Sequence, residues 1–197
     1  MTICILGAGP GGATAALHLA NAGHCCLLLD RATFPRDKVC GDALSGKVLS
    51  ELRRIGEDLP ARLAAEPAQL PSWGIDFYAP NGRRLAVPFK PHYNPTTDRA
   101  AGHISNTDVV AHEQLPDGRW RLLGPDKQEI TTADLLLVAN GAQSNFARVV
   151  GGHVLEPAHH CAGLRAYYRG VTGLHPHNFI ELHFIKEFLP GYLWVFP

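Results

Sequence analysis

The sequence predicts an α/β fold built on a parallel sheet, followed along the chain by mainly β structure. An apolar strand over residues 2–6 runs into a glycine-rich turn and then into an Ala-rich helix. A second apolar run, residues 25–29, follows that helix and ends at Asp30. Beyond residue 72 the pattern changes to short alternating segments separated by turn residues, which is typical of hairpins and meanders.

The glycine-rich turn has the spacing of a motif that binds a nucleotide diphosphate. Gly7 allows a tight turn, Gly9 removes the Cβ that would block a pyrophosphate, and Gly12 lets the helix pack closely on the strand. The helix would then offer unpaired backbone N–H groups and the positive end of its dipole to the phosphates. A glycine turn that binds no ligand is the alternative. The turn favours a Rossmann-like unit.

Asp30 adds to this interpretation, because it ends the second predicted strand. An acidic residue there is placed to accept hydrogen bonds from an adenosine ribose. Asp30 also weighs against a 2′-phosphate on that ribose, although the neighbouring Arg31 leaves this alternative open.

Composition excludes several classes of function. The chain has 197 residues, 46% of them hydrophobic, and no net charge with histidines neutral, so no global field favours nucleic acid. No apolar run approaches the roughly eighteen residues of a membrane span. The first strand begins at once and leaves no room for a signal peptide, so a cytoplasmic location is expected, with peripheral membrane contact left open.

The cysteines and histidines do not indicate a metal site. The five cysteines are odd in number and lack metal-ligand spacing, and three of them, Cys4, Cys25 and Cys26, fall on predicted buried strands. The histidine pairs at 159–160 and 175–177 lack a cysteine or carboxylate partner set. We therefore expect neither disulfides nor a bound metal.

Further elements follow from periodicity and turn residues. A helix is predicted from about Leu44 to Gly56, and another from Ser144 to Val150. The predicted strands are residues 74–78 and 84–87 around Asn81-Gly82, the meander strands 106–112, 119–123 and 128–132, a buried strand at 135–139, and alternating segments at 164–169, 180–184 and 192–196.

One segment conflicts with this fold. Between Val87 and Ile104 a parallel sheet needs a crossover helix, but Pro88, Pro91 and Pro95 exclude one over most of the span. The run 99–102 resembles only the tail of such a helix. We hypothesise that a segment is missing from this part of the chain.

Three blocks of sequence together resemble the geranylgeranyl reductase family of flavoproteins, which share the p-hydroxybenzoate hydroxylase type of FAD fold. The blocks are the glycine turn, residues 34–42 (FPRDKVCGD) and residues 190–197 (PGYLWVFP). The resemblance implies a Rossmann-like FAD-binding domain with a β-meander, plus part of a mainly β substrate domain. It assigns residues 1–72 and 99–157 to the first and residues 73–98 and 158–197 to the second.

The family continues past the aromatic strand into a Gly-Asp-Ala segment that holds the ribityl chain of the flavin. The resemblance therefore implies that this chain is truncated at its C-terminal end.

The resemblance also assigns roles to residues. Residues 39–42 would lie beside the isoalloxazine of FAD, although a charged surface loop is the alternative for this stretch. Asn140 replaces an aspartate that related flavoproteins carry, so contacts that depend on a carboxylate are in doubt. The residues expected to bind FAD are Gly7, Gly9, Pro10, Gly11, Gly12, Ala13, Asp30, Arg31, Val39, Cys40, Gly41, Asp42, Arg99, Val109, Asn140 and Gly141.

The aromatic strand 192–196 would form a wall of the substrate cavity, and an aromatic core strand is the alternative. Cys40, Tyr192 and Trp194 are candidate pocket residues, but no side chain can be named as the catalytic acid.

The implied function is an FAD-dependent oxidoreductase that reduces C=C bonds of a prenyl or lipid-like substrate by hydride transfer from reduced flavin. The electron donor, NAD(P)H or a ferredoxin-like protein, stays undetermined. The alternatives are a flavin-dependent monooxygenase or halogenase on the same fold, and an inactive nucleotide-binding fragment.

Overall fold

The computed structural model describes residues 1–38, 43–66, 70–89, 104–106, 109–152, 154 and 156–197, with only the backbone of 104–106. The chain divides into two compact units. The first contains residues 1–38, 54–56 and the described part of 99–163, and the second contains the described parts of 39–53 and 57–98 together with 164–197. That one region of the chain binds the cofactor and the other binds the substrate stays a prediction.

The elements of the first unit alternate between helix and strand before they become antiparallel. They are β1 (Ile3–Leu6), α1 (Pro10–Asn21), β2 (Cys26–Asp30), β5 (Ile104–Asn106), β6 (Ala111–Gln114), β7 (Trp120–Leu123), β8 (Glu129–Ala133), β9 (Leu135–Val138) and α4 (Asn145–Val149). Those of the second unit are most of α2 (Gly46–Ile55), α3 (Leu59–Ala64), β3 (Gly74–Tyr78), β4 (Arg84–Pro88), β10 (Ile180–His183) and β11 (Leu193–Val195).

A parallel sheet of four strands forms the centre of the first unit, in the order β5-β2-β1-β9. Its two faces are buried by different layers. On one face Ile5 and Leu28 pack with Ala15, Ala16 and Leu19 of α1. On the other face Cys4, Leu6 and Leu29 pack with Leu122 and Ala133 of the antiparallel strands. This architecture confirms the predicted Rossmann-like fold with a β-meander.

The meander consists of β6, β7 and β8 in sequence order. Its first predicted strand, residues 106–112, is wrong. Asn106 ends β5 and pairs with Asp30 in the parallel sheet, and the meander begins only at Ala111. A strand that leaves one sheet just before another begins keeps the same alternation, so periodicity alone did not mark the change.

The second unit contains a mixed sheet of four strands, in the order β11-β10-β3-β4. The predicted hairpin is confirmed, since β3 and β4 pair antiparallel around a turn in which Gly82 has φ +79°. Strand β10 pairs parallel with β3 and antiparallel with β11. The short helix α3, which the sequence did not indicate, begins with Pro60 in its first turn.

The two faces of this sheet differ in polarity. Asp76, Tyr78, Arg84 and His183 share one face: the Arg84 guanidinium lies 2.6 Å from the fully buried Asp76 carboxylate, and the Tyr78 and His183 rings stack at 4.4 Å. Apolar residues occupy the opposite face, where Trp194 stands across from Leu182. Burial, with the nearby Glu181 carboxylate, raises the pKa of Tyr78 above its usual value.

Two other local predictions are wrong. Residues 164–169 form no strand, because no described backbone group pairs with this segment through hydrogen bonds. Leu164 is fully exposed. Cys25 lies before β2 and is exposed, so it is not a buried strand residue. The hypothesised missing segment falls between residues 90 and 104, and residues 90–103 lie outside the described part of the chain.

Helix α1 packs so closely on β1 that Gly12 admits no side chain. A Cβ at Gly12 would overlap the carbonyl oxygen of Gly7 and approach Ile5 to 3.3 Å. We expect Gly12→Ala to lower the free energy of unfolding by about 1–3 kcal/mol, because backbone cannot yield as a flexible side chain does. Urea unfolding followed by circular dichroism measures this change.

Gly11→Ala is the matched control. A Cβ at exposed Gly11 would meet only the Cβ of Ala139, at 4.0 Å. The free energy of unfolding of this variant should lie within about 0.5 kcal/mol of the parent's or slightly above it, since alanine favours a helix more than glycine does. Equal losses in both variants would contradict the close contact at Gly12.

Cysteine reactivity should follow burial. The thiol of Cys4 is fully buried in the parallel sheet, and this burial raises its pKa to about 11. At pH 8 only about one thiol in a thousand is then ionised. Iodoacetamide should modify the exposed Cys25 and Cys161 first, and Cys4 only in urea; peptide mass mapping checks the order. Modification of Cys4 in the folded chain at the rate of Cys161 would contradict its burial.

Candidate functional site

Gly7 brings the carboxyl ends of two neighbouring parallel strands together. Its backbone has φ +96°, and its N–H donates to the Leu29 carbonyl at 2.7 Å. A Cβ at Gly7 would overlap the Ala139 carbonyl oxygen and lie 2.8 Å from the Cα of Asn140. The left-handed conformation and the close approach both require glycine. The turn after β1 therefore lies directly beside the turn after β9.

The N-terminus of α1 opens toward solvent at this edge of the sheet. Gly9 precedes the helix, Pro10 lies in its first turn, and no side chain caps it. A cleft of about 220 Å³ lies here, and its lining residues are Ala8, Gly9, Pro10, Ala13, Phe34, Arg36 and Lys38. Backbone N–H groups at a helix N-terminus favour an anion, and the two cationic side chains add to that preference.

Asp30 ends β2 and contacts two residues of the cleft lining, Ala8 and Arg36. Its carboxylate is only 7% exposed; Oδ2 accepts from Ala8 N at 2.8 Å and Oδ1 accepts from Ala32 N at 2.9 Å. Burial opposes ionisation, but these backbone donors and the Arg36 guanidinium outweigh it and hold the pKa of Asp30 below its usual value. The group is therefore a fixed carboxylate at neutral pH.

Arg36 is the residue that the sequence did not single out as part of the site. Its Nη2 lies 3.4 Å from Asp30 Oδ2 and 3.9 Å from the position of a Cβ on Gly9, and the guanidinium stands 5.3 Å from the centre of the Phe34 ring. Its position in the 34–42 block was the available signal, but loop residues rich in charge are equally typical of a solvated surface.

The structure places the other predicted cofactor residues in different surroundings. Asn140 and Gly141 are exposed after β9, and Gly141 has φ +87°. Arg31 is exposed beside Asp30. Val109 packs against the apolar core between the parallel sheet and the meander. Val39, Cys40, Gly41, Asp42 and Arg99 lie outside the described residues.

The structure thus brings together Gly7, Gly9, Gly12 and Asp30, with Asn140 adjacent to Gly7. Their roles toward a cofactor remain predictions.

Tyr192 and Trp194 belong to the second unit, at and beside the edge strand β11. The two rings meet edge to face at 5.5 Å, and Trp194 stacks on Phe196 at 5.5 Å. All three side chains are between 38% and 53% exposed. The predicted aromatic stripe therefore exists on one face of the strand and is available for apolar contact.

Among the residues that the structure describes, no three His, Cys, Asp or Glu side chains come close enough to hold a metal ion. No helix within the described part of the chain has the length and apolarity that a membrane span requires.

The fold and the turn define a Rossmann-like nucleotide-binding protein. The family described as NAD(P)-binding Rossmann-like domain matches residues 5–74, the part of the chain that contains the glycine turn and Asp30. The solved structure of CmlS, a flavin-dependent halogenase, covers 100% of this chain and 39% of its own length, with a TM-score of 0.72 and 18% identity. At that identity the match concerns the fold, and it confirms the predicted flavoprotein architecture.

The sequence relatives of this chain include proteins named as reductases. A menaquinone reductase of Mycolicibacterium smegmatis is 28% identical over 99% of this chain and 51% of its own length. Digeranylgeranylglycerophospholipid reductase 1 of Methanopyrus kandleri is 29% identical over 99% of this chain and 54% of its own length. The predicted resemblance to geranylgeranyl reductase flavoproteins is confirmed by these relatives. The chain spans about half the length of the curated relatives it matches.

Proposed function

We propose that this chain binds FAD and is part of an oxidoreductase that reduces C=C bonds of a prenyl or lipid-like substrate. One observation carries the proposal: the uncapped N-terminus of α1 opens into a cleft, and the fixed carboxylate of Asp30 contacts two residues of the cleft lining, Ala8 and Arg36. The reductase names of the sequence relatives support the reaction class, whereas the halogenase likeness concerns the fold alone.

Different residues at the cleft would bind the diphosphate and the ribose of an ADP group. Backbone N–H groups at the start of α1 would bind the diphosphate, with charge balance from Arg36 and Lys38. Asp30 would accept hydrogen bonds from the ribose hydroxyls, since a carboxylate has acceptor positions beyond the two that Ala8 and Ala32 occupy. Bound FAD supplies the hydride chemistry.

The substrate proposal uses the aromatic stripe of the second unit. Menaquinone and digeranylgeranylglycerophospholipids both carry isoprenoid chains, whose burial stabilises a complex by about 0.8 kcal/mol per methylene. Half-exposed rings of Tyr192, Trp194 and Phe196 offer the apolar, polarisable surface that such a chain needs. Cys40 remains a candidate pocket residue by resemblance only. The electron donor and any contact with a membrane surface are left open.

Replacement of the ribose-binding carboxylate should weaken the cofactor complex. We expect Asp30→Asn to lower the affinity for FAD about 10–100-fold, because hydrogen bonds to a charged acceptor are each worth about 1.5–3 kcal/mol. Quenching of flavin fluorescence measures the dissociation constant. Asp126→Asn, on an exposed turn of the meander, removes the same charge and should leave the affinity unchanged. Equal affinities for parent and Asp30→Asn would contradict the assigned role.

The reaction class is tested without oxygen. The flavin-loaded chain is reduced with dithionite and mixed with a geranylgeranyl lipid that carries no quinone, and the products are analysed by mass spectrometry. Addition of two hydrogens is expected. Gain of an oxygen atom only after air is admitted would favour the monooxygenase alternative. A chain that shows no flavin spectrum even in excess FAD would favour an inactive nucleotide-binding fragment.

A further inference from the structure

The Asp30 carboxylate has more neighbours than a ribose-binding residue should keep. Its two oxygens accept from Ala8 N and Ala32 N, and both bonds run to backbone that the fold fixes. The third neighbour is the Arg36 guanidinium, which lies at the longer distance of 3.4 Å from Oδ2. A carboxylate offers about four acceptor positions, so two ribose hydroxyls would need both that remain beside the backbone donors, including the one that this guanidinium faces.

The same guanidinium also lies where a diphosphate would need a cation. It approaches Gly9, the residue that precedes α1, and it lines the cleft together with Lys38. Arg36 is 28% exposed along its side chain, stands over the Phe34 ring, and donates from Nη1 to the Asp37 carbonyl at 3.3 Å. Transfer of the guanidinium from the carboxylate toward the helix N-terminus therefore needs rotation of this one side chain and release of the long hydrogen bond to Asp37.

We propose that Arg36 exchanges partners when a nucleotide binds: it neutralises Asp30 in the empty cleft, and it leaves Asp30 for the diphosphate as the ribose takes its place. This inference rests on the proposed function, because it concerns the same cleft. It makes Arg36 a specificity residue that opposes ligands with a ribose but no phosphate, and favours those with both.

The exchange has opposite consequences for two probes. Adenosine must displace the guanidinium from Asp30 and offers it no phosphate in return, so removal of Arg36 should improve adenosine binding. ADP offers the diphosphate, so removal of Arg36 should weaken ADP binding. An arginine that only contacts phosphate would leave adenosine unaffected, and one that only supports the loop would weaken both.

The test measures both dissociation constants for the whole chain and its variants by NMR shift titration. Arg36→Met keeps a flexible apolar stem against Phe34 and removes the charge. We expect it to bind adenosine about 2–5-fold more tightly and ADP about 10–100-fold more weakly. Arg36→Lys should recover part of the ADP affinity. Lys127→Met, on an exposed turn of the first unit, removes an equal charge and should change neither constant.

A second measurement needs no variant. In the parent chain, the side-chain N–H resonance of Arg36 should shift strongly when ADP binds, while the Ala8 amide keeps the protection given by its bond to Asp30. Adenosine affinity that stays the same or falls in Arg36→Met overturns the exchange, and so does an Arg36 resonance that ADP leaves unchanged. If the parent chain binds neither FAD nor ADP, the proposed function itself fails; a parent that binds both nucleotides separates the two results.

Discussion

The close approach of α1 to β1 is the contact on which the rest of the cleft depends. Because Gly12 has no side chain, the helix can begin directly over the Gly7 carbonyl, and its N-terminus then points across the carboxyl edge of the parallel sheet. The same edge carries Asp30 and the turn after β9. A helix held farther away would still be a helix, but its N–H groups and the carboxylate would no longer face one ligand.

The second unit adds a different kind of surface to the protein. Its sheet carries Asp76 and Arg84 on one face and Leu182 and Trp194 on the other, with Leu193 and Val195 of β11 on the side of the charged pair. The first unit offers directional hydrogen bonds and charged groups, whereas this apolar face offers hydrophobic contact, which has no preferred direction. The proposed function calls for both properties, one for the cofactor and one for the substrate.

The sequence specified the parts of the site that depend on local backbone chemistry. Positive φ at Gly7 and close packing at Gly12 leave a readable glycine spacing, and an acid after an apolar run marks the end of β2 at Asp30. Arg36 could not be assigned this way, because the partner of a long side chain is set by tertiary contacts. The strand predicted at residues 164–169 was wrong for a related reason. Alternation is a property of one segment alone, but a strand forms only when a second strand pairs with it.

The ion pair between the buried Asp76 and the half-exposed Arg84 has a consequence for the hairpin that contains it. Asp76 and Arg84 are diagonal neighbours on β3 and β4, and Asp76 stands directly opposite Ala86. A slip of one position between these strands would carry the carboxylate and its counter-ion to opposite sides of the ribbon, where an uncompensated buried charge is strongly unfavourable. The pair therefore favours a single alignment of β3 with β4.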